Sequence, residues 1–277
     1  DHGHDDDSSS CSPEVDSSLG ECTVTLTYDS EFNMVVDSTN DTRTITSNNI
    51  PNHTVGLFGG NGGDYLNPNA ISPQNSTYVL DLTPSLSSDS SLTTLLGNDG
   101  IDYSFGVLLN GVEVDPVASE PWPHSCPDIS DTNWEWNLEA SMAGLGIDCN
   151  SAHVQNTGAY HYHGVPFEYF ASLNVNSKTL VGYAADGFGI YYSPDETSSY
   201  HIKSGDRPGD GVTAPSGEYN GLYTADYEYD PNLGSLGECN EKYDEETGWY
   251  YVITAEYPGI PRCFIGTPSS NFTVGPQ

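Results

Sequence analysis

Turn-forming residues divide this chain into short segments, which limits the length of the secondary-structure elements it can build. Its 277 residues include 29 glycines and 18 prolines, and between them lie brief runs rich in Val, Thr, Tyr and Ile. Residues of the second kind favour strands, whereas Gly, Pro, Asn and Asp favour turns. The sequence therefore predicts a mainly β fold: a single β-rich domain of short antiparallel strands and hairpins, with long loops and little helix.

The segments most typical of strands cover residues 22–28, 43–46, 78–82, 103–109, 112–114, 180–184, 188–192 and 249–255. Asn110-Gly111 lies between two of them, and this dipeptide favours the two-residue turn of a hairpin. One helix is predicted, over residues 133–143, because Gly144 and Gly146 follow it as stop signals.

We divide the chain into a polar N-terminal segment with one early strand, residues 1–40, and a β domain, residues 41–277. A polar terminus frays unless something holds it. A disulfide at Cys11 would not restrain the ten residues before it, so we expect these to dock on another copy of the chain. His2 and His4 lie in this tail, and the acidic run that follows them is typical of nonspecific cation association. A homo-oligomer or polymer is the expected assembly.

The charge of the chain excludes several classes of function. Forty acidic residues stand against six Lys plus Arg, a formal net charge of −34, and such a chain repels nucleic acid and anionic membrane. No apolar run approaches the ~20 residues that span a bilayer. The oxygen-rich loop of residues 206–211 is a further candidate for calcium, although it lacks EF-hand spacing.

Six cysteines indicate three disulfides and an oxidising compartment, so we expect a protein that is secreted, extracellular or on the cell surface. We interpret the residues given as a mature exported product. The simplest pairing is sequential and joins Cys11 to Cys22, Cys126 to Cys149 and Cys239 to Cys263. Sequence alone also allows other pairings.

Three of the eight histidines lie within eleven residues, at His153, His161 and His163. On a strand, residues two apart face the same side, so the imidazoles of His161 and His163 leave one face while Tyr160 and Tyr162 occupy the other. A three-residue loop at residues 156–158, ending in Gly in the left-handed region, would place His153 opposite His161. The pattern predicts a cluster of three metal ligands.

Imidazole ligands suit Cu(II), Zn and Ni, and copper binds most tightly in this series. We therefore predict copper, as one ion or as two if further histidines join, with zinc as the alternative. His124 is a further candidate ligand. Asp186 is a candidate for accepting a hydrogen bond from a ligating imidazole, or merely a turn residue before Gly187.

The chain resembles the YHYH-domain family, named for the motif at residues 160–163. The resemblance also rests on residues 49–53, 103–111, 152–155, 180–188, 238–240 and 257–264, and together these segments cover about residues 44–268 in order. Gly189 stands where members of the family often have Pro, and residues 121–129 look like a segment that the family lacks. The resemblance implies a secreted or surface domain of largely uncharacterised activity, and it adds His53 to the ligands.

The leading hypothesis is a secreted copper-binding protein that assembles with copies of itself into an extracellular structure such as a filament. A second hypothesis is an extracellular metal-dependent enzyme, either a copper oxidoreductase or a metallohydrolase; an acid or base near an open coordination position would favour it. A third is a carbohydrate- or peptide-binding module whose histidines and tyrosines form a recognition face without metal.

Overall fold

The computed structural model describes residues 11–124, 126, 129 and 131–275. Its strands are β1 (Phe32–Asp37), β2 (Thr42–Ser47), β3 (Ser76–Asp81), β4 (Thr93–Thr94), β5 (Gly106–Leu108), β6 (Glu113–Val114), β7 (Pro121–Trp122), β8 (Asn133–Asn137), β9 (Ala152–Val154), β10 (Tyr160–Tyr162), β11 (Thr179–Ala184), β12 (Gly189–Tyr192), β13 (Tyr200–Ile202), β14 (Tyr227–Tyr229), β15 (Glu241–Asp244), β16 (Gly248–Ile253) and β17 (Cys263–Phe264). One α-helix, α1 (Phe167–Ser172), lies between β10 and β11, and two 3-10 turns cover Thr224–Asp226 and Ser270–Phe272. The prediction of a mainly β chain with little helix is confirmed.

An eight-stranded sheet carries most of the structure, in the order β15-β16-β12-β11-β5-β6-β10-β9. Its pairs are antiparallel except β6 with β10 and β12 with β16, which are parallel and join strands distant in sequence. Sequence patterns predicted the β5–β6, β9–β10 and β11–β12 hairpins of this sheet, but not the strand β15 or the two parallel pairs. The histidine hairpin, β9 and β10, forms one end of the sheet, and β15 forms the other.

A separate antiparallel sheet has the order β1-β2-β3, and three further sheets pair β13 with β14, β17 with β4 and β7 with β8. The strands predicted at residues 43–46 and 78–82 are confirmed as β2 and β3. The strand predicted at residues 22–28 is wrong, because only Val24 makes a bridge there, to Val55.

Aromatic rings fill the main core between these elements. Phe105 stacks on Phe264 with ring centroids 5.3 Å apart and meets Tyr251 edge-on at 5.0 Å. All three side chains are fully buried, and they pack with aliphatic residues from every strand of the large sheet's centre. Burial of such large apolar side chains is the main force that holds the strands together.

The helix predicted over residues 133–143 is wrong: its first half forms β8, which pairs with β7. Trp136 packs with Trp122 and Tyr223 in a second hydrophobic cluster, and the Asn137 side chain donates to the carbonyl of Ala118. Tryptophan has only a modest helix preference, and packing of this kind overrides it.

The helix that does form, α1, was missed. It begins after Pro166 and carries Glu168 in its first turn, both of which are common at helix starts. Its six residues are too few for a clear helical period, which explains why the pattern did not reveal it.

The described cysteines form three disulfides, but only Cys239–Cys263 follows the sequential pairing. The other two bridges join Cys11 to Cys126 and Cys22 to Cys149. The expected pairs Cys11–Cys22 and Cys126–Cys149 are therefore wrong. Both long-range bridges start from the N-terminal segment, at sequence separations of 115 and 127, but only the second reaches the histidine hairpin, because Cys149 lies three residues before β9.

The helices of the described part include none of the length and apolar character that a membrane crossing needs. The expected docking of the first ten residues, and the pair His2 and His4, lie outside the described residues.

Candidate metal centre

The hairpin β9–β10 has the register that the sequence predicts. His161 lies directly opposite His153, and the Gln155 amide donates to the Ala159 carbonyl across the loop at 3.0 Å. Gly158 closes the loop with a φ of +87°, a backbone conformation that favours glycine. The predicted three-residue loop is confirmed.

The three imidazoles converge on one point. His163 follows β10 directly, and its amide donates to the Ser151 carbonyl at 2.7 Å, which places its ring beside the two ring positions of the hairpin. Ring centroids lie 4.5 to 4.8 Å apart. The Nε2 atom of His163 is 2.9 Å from the Nε2 of His161 and 2.9 Å from that of His153.

Backbone carbonyls fix the protonation of these rings. The Nδ1 atom of His153 lies 3.1 Å from the Leu145 carbonyl oxygen, that of His161 lies 3.2 Å from the Ala159 oxygen, and that of His163 lies 3.0 Å from the Pro116 oxygen. A carbonyl only accepts, so each neutral ring carries its proton on Nδ1. Three Nε2 lone pairs then face one another with no proton between them, an arrangement that a metal ion would stabilise.

Burial keeps the rings neutral. Removal from water lowers the pKa of His153, lowers that of His161 to about 3 and lowers that of His163 well below its ordinary value. For His161 and His163, the neighbouring imidazoles lower the pKa further, because a second positive charge would be repelled. Neutral imidazole is the form that coordinates metals.

The centre opens on a cavity of about 520 Å³. Besides the three histidines, its polar lining comes from Asn67, Asp115, Ser119, Glu120, Gln155 and Asn156. An ion held by the three Nε2 atoms would therefore have a side that small molecules can reach.

Asp115 is the residue of this cavity that sequence reasoning missed. It follows β6, whose parallel pairing with β10 brings it beside the histidines, and its amide donates to the Tyr162 carbonyl. One carboxylate oxygen accepts from the side-chain amide of Gln155 at 3.1 Å, while the other is buried without a partner among the described residues. Burial, and then the charge of Glu113, raise the pKa of Asp115 well above its usual range. Its place before Pro116 in a run of Val and Glu gave no signal of this role.

The tyrosines of the motif face the opposite side and are fully buried. Tyr160 donates to Asp148 at 2.8 Å, and the Tyr162 hydroxyl lies 2.9 Å from the Asn110 amide and 2.5 Å from Nε2 of His53. Tyr160 and Tyr162 therefore do not share a recognition face with the three histidines, and the hypothesis of a carbohydrate- or peptide-binding module stays a prediction.

His53 and His124 do not join the centre. Both nitrogens of His53 have protein partners, the Tyr162 hydroxyl and the Thr54 carbonyl, on the tyrosine side of β10. His124 stacks on Tyr223 with centroids 5.6 Å apart, in the second hydrophobic cluster. The expectation that either completes the cluster is wrong. Among the residues that the structure describes, the histidine group at this centre has three members.

Asp186 does not support a ligating imidazole. Its carboxylate accepts from the Tyr251 hydroxyl and from the Gly266 amide, in the main core. Another group of suitable spacing, Cys22, Cys149 and Glu168, contains a disulfide and so lacks the thiolates that bind metals.

Two polar side chains of the calcium candidate loop already have protein partners outside the loop. Asp210 accepts from the amides of Val212 and Thr213, and the Arg207 side chain is paired with Asp226 at 2.7 Å. Calcium binding at residues 206–211 stays a prediction.

The chain is thus a disulfide-bonded, mainly β protein with a cluster of three histidines at one end of its large sheet. A family model described as YHYH protein matches residues 77–266, which include the centre and most of the large sheet. The chain belongs to this family. No curated protein and no solved structure matches it.

Proposed function

We propose that this protein binds one copper ion through the Nε2 atoms of His153, His161 and His163. The observation that carries the proposal is the convergence of three lone pairs whose rings are each held at Nδ1 by a carbonyl. A set prepared in this way loses little orientational freedom when an ion binds.

The spacing of the nitrogens favours copper over zinc. With metal–nitrogen bonds of about 2.0–2.1 Å, two nitrogens 2.9 Å apart subtend an angle of about 90° at the ion. Tetragonal Cu(II) prefers such angles, whereas structural zinc prefers wider tetrahedral ones. The three disulfides support an oxidising, extracellular setting, in which copper is available.

Metal analysis of the purified chain tests the proposal. We expect about one copper ion per chain after dialysis, because three neutral imidazoles form a strong Cu(II) set. His163→Gln removes the ring whose Nε2 lies close to the Nε2 atoms of both His153 and His161, and this variant should no longer retain copper. His201→Gln is the matched control, since His201 is a partly exposed strand residue near Glu228.

Electron paramagnetic resonance of the loaded protein should show a tetragonal Cu(II) signal with nitrogen hyperfine structure. Equal copper contents in the His163→Gln and His201→Gln variants would refute the centre.

Self-assembly is a further part of the proposal and rests on β1. This strand is at the edge of its sheet, and Met34, Val35 and Val36 are exposed, Val35 by 54%. An exposed apolar edge strand offers unpaired backbone groups to another chain. We propose that copies of the protein associate along this edge.

A metal-dependent enzyme is the second candidate function, and Asp115 favours it. The residue lines the same cavity as the three histidines, and burial raises the pKa of its carboxyl well above its usual range, which favours the protonated form. It would be placed to give a proton to a molecule bound at the open side of a metal ion. An acid near an open coordination position is the feature that would favour the enzyme hypothesis.

The variant Asp115→Asn distinguishes a catalytic role of the centre from metal binding alone. If the centre is catalytic, the loaded protein should turn over dioxygen with ascorbate, or hydrolyse an activated ester, and the variant should slow that reaction about 100-fold at unchanged copper content. Measured rates that are identical for the wild type and the variant would leave metal binding as the function and remove the catalytic role.

A further inference from the structure

A second cavity lies away from the metal centre and has a different chemistry. Its volume is about 570 Å³, within the usual range for small-molecule sites. Residues of β11, β12, β15 and β16 line it, together with Arg43 of β2 and the segment 82–86. These four strands are the first half of the large sheet's order, whereas the metal hairpin ends the other half.

Aromatic rings dominate the walls of this second cavity. Tyr183, Tyr191, Tyr243 and Trp249 all line it. Tyr243 and Trp249 are opposite one another in the β15–β16 pair, with ring centroids 5.5 Å apart, and Tyr243 is 55% exposed. Exposed rings of this kind pack well against the flat C–H faces of a sugar ring, and Ser85 and Thr247 add hydroxyl groups to the lining.

The charge of the second cavity is opposite to that of the chain. The molecule has 40 acidic residues, yet none of the described residues that line this cavity is acidic, and Arg43 is among them. The nearby carboxylate of Asp244 is already paired with Lys178 at 2.7 Å. The local balance therefore favours an anionic group on the ligand.

Arg43 has no oxygen partner in the part of the chain that the structure describes. Its guanidinium lies over the Tyr183 ring, 4.0 Å from the centroid, its Nη1 contacts only the Met34 sulfur at 3.4 Å, and its Nε is buried without a hydrogen bond. Four of the other basic residues, Lys178, Arg207, Lys242 and Arg262, all have a carboxylate within 3 Å. A guanidinium recognises a carboxylate with two parallel hydrogen bonds.

From this combination we infer that the second cavity binds a sugar residue that carries a carboxylate, that is, a hexuronic acid of an oligosaccharide. The rings of Tyr243 and Trp249 pack on the sugar face, and Arg43 binds the carboxylate. The overall charge of −34 repels long polyanions, so the site is suited to short oligouronides at moderate salt.

The test compares the trimer of galacturonic acid with its methyl ester, which has the same sugar chain but no carboxylate charge. Binding is measured by isothermal titration calorimetry and Trp fluorescence at 0.15 M salt, where the Debye length is about 8 Å. A chelator is present so that the metal centre does not contribute. We expect saturable binding of the acid trimer, at least about tenfold tighter than the ester.

Arg43→Gln should remove this tenfold preference while leaving the weaker ester binding intact, and Arg43→Lys should restore only part of it. Tyr243→Ala should weaken both ligands. Lys203→Gln is the control, because Lys203 lies near Tyr219, outside this cavity, and thermal melting confirms that each variant is folded.

Equal affinity for acid and ester, or no saturable binding, would overturn the inference. So would tighter binding of a tetrapeptide with a free C-terminal carboxylate, which would identify a peptide site instead.

Discussion

Each histidine of the proposed metal centre is oriented by the partner of its Nδ1 atom. In this centre all three partners are main-chain carbonyls, of Pro116, Leu145 and Ala159. A carbonyl orients the ring as a carboxylate would, but adds no negative charge. The centre therefore depends on the backbone path of three separate segments, and side-chain replacements at those positions should be tolerated as long as the backbone keeps its course.

Asp186 is a buried carboxyl group whose protonation links stability to pH. Removal from water is the main cause that raises its pKa from 3.8 to about 6. The unfolded chain releases this proton between pH 4 and 6 while the folded chain keeps it, so the free energy of unfolding falls as pH rises through this range. At ~1.4 kcal/mol per pKa unit, the loss is up to about 3 kcal/mol.

Asp186→Asn should remove this contribution, since the amide oxygen still accepts from Tyr251 and no proton is released. Urea unfolding at pH 4.5 and pH 7 measures it: the wild type should lose more stability over this interval than the variant. Parallel curves for the two proteins would show that Asp186 is not the titrating group.

At the scale of elements, the histidine hairpin is braced by a long-range disulfide. Cys149 lies three residues before β9, and its partner Cys22 belongs to the N-terminal segment. The adjacent Asp148 also accepts from Tyr160 and from the Gly56 amide. The segment that leads into β9 is thus held by the disulfide at Cys149 and by the hydrogen bonds of Asp148.

Replacing both Cys22 and Cys149 with Ser should lower the free energy of unfolding by about 2–4 kcal/mol and weaken copper binding as well, because the hairpin then loses its fixed base. The double variant of Cys239 and Cys263 is the control, since that bridge lies in the main core and should cost stability without a specific loss of copper affinity. Calorimetric melting and a competitive copper titration measure both effects. A similar loss of affinity in the two double variants would contradict a bracing role.

Local patterns predicted the hairpin, whereas contacts between distant segments escaped them. The alternation of residues 160–163 and the turn chemistry of Gly158 fix the register within eleven residues, so no other part of the chain was needed. The bridge of Cys22 to Cys149, the carbonyl of Pro116 and the placement of Asp115 depend on a parallel strand pair and on segments far apart in sequence. The same reason explains β8, where the pocket formed by Trp122 and Tyr223 decides the conformation of Trp136.

At the scale of the whole molecule, a net charge of −34 opposes association between copies, and the apolar edge β1 favours it. Salt screens the charge repulsion between copies and does not weaken the apolar contact through β1. We therefore expect light scattering to show larger species as NaCl rises from 0.05 M to 0.5 M, with Debye lengths falling from roughly 14 Å to about 4 Å.

Val35→Lys should suppress these species, because a charge on an edge strand prevents pairing with another chain. Leu233→Lys, also at an exposed apolar residue but outside β1, is the matched control. Scattering that is monomeric at every salt concentration would exclude self-assembly through β1.

The uncharged ligand set has a consequence for what can reach a bound ion. If an ion binds as proposed, three neutral rings would leave its charge uncompensated, while the negative field of the surrounding molecule would repel large anions. We therefore expect small uncharged molecules such as water, dioxygen or hydrogen peroxide to reach a bound ion more readily than large anions.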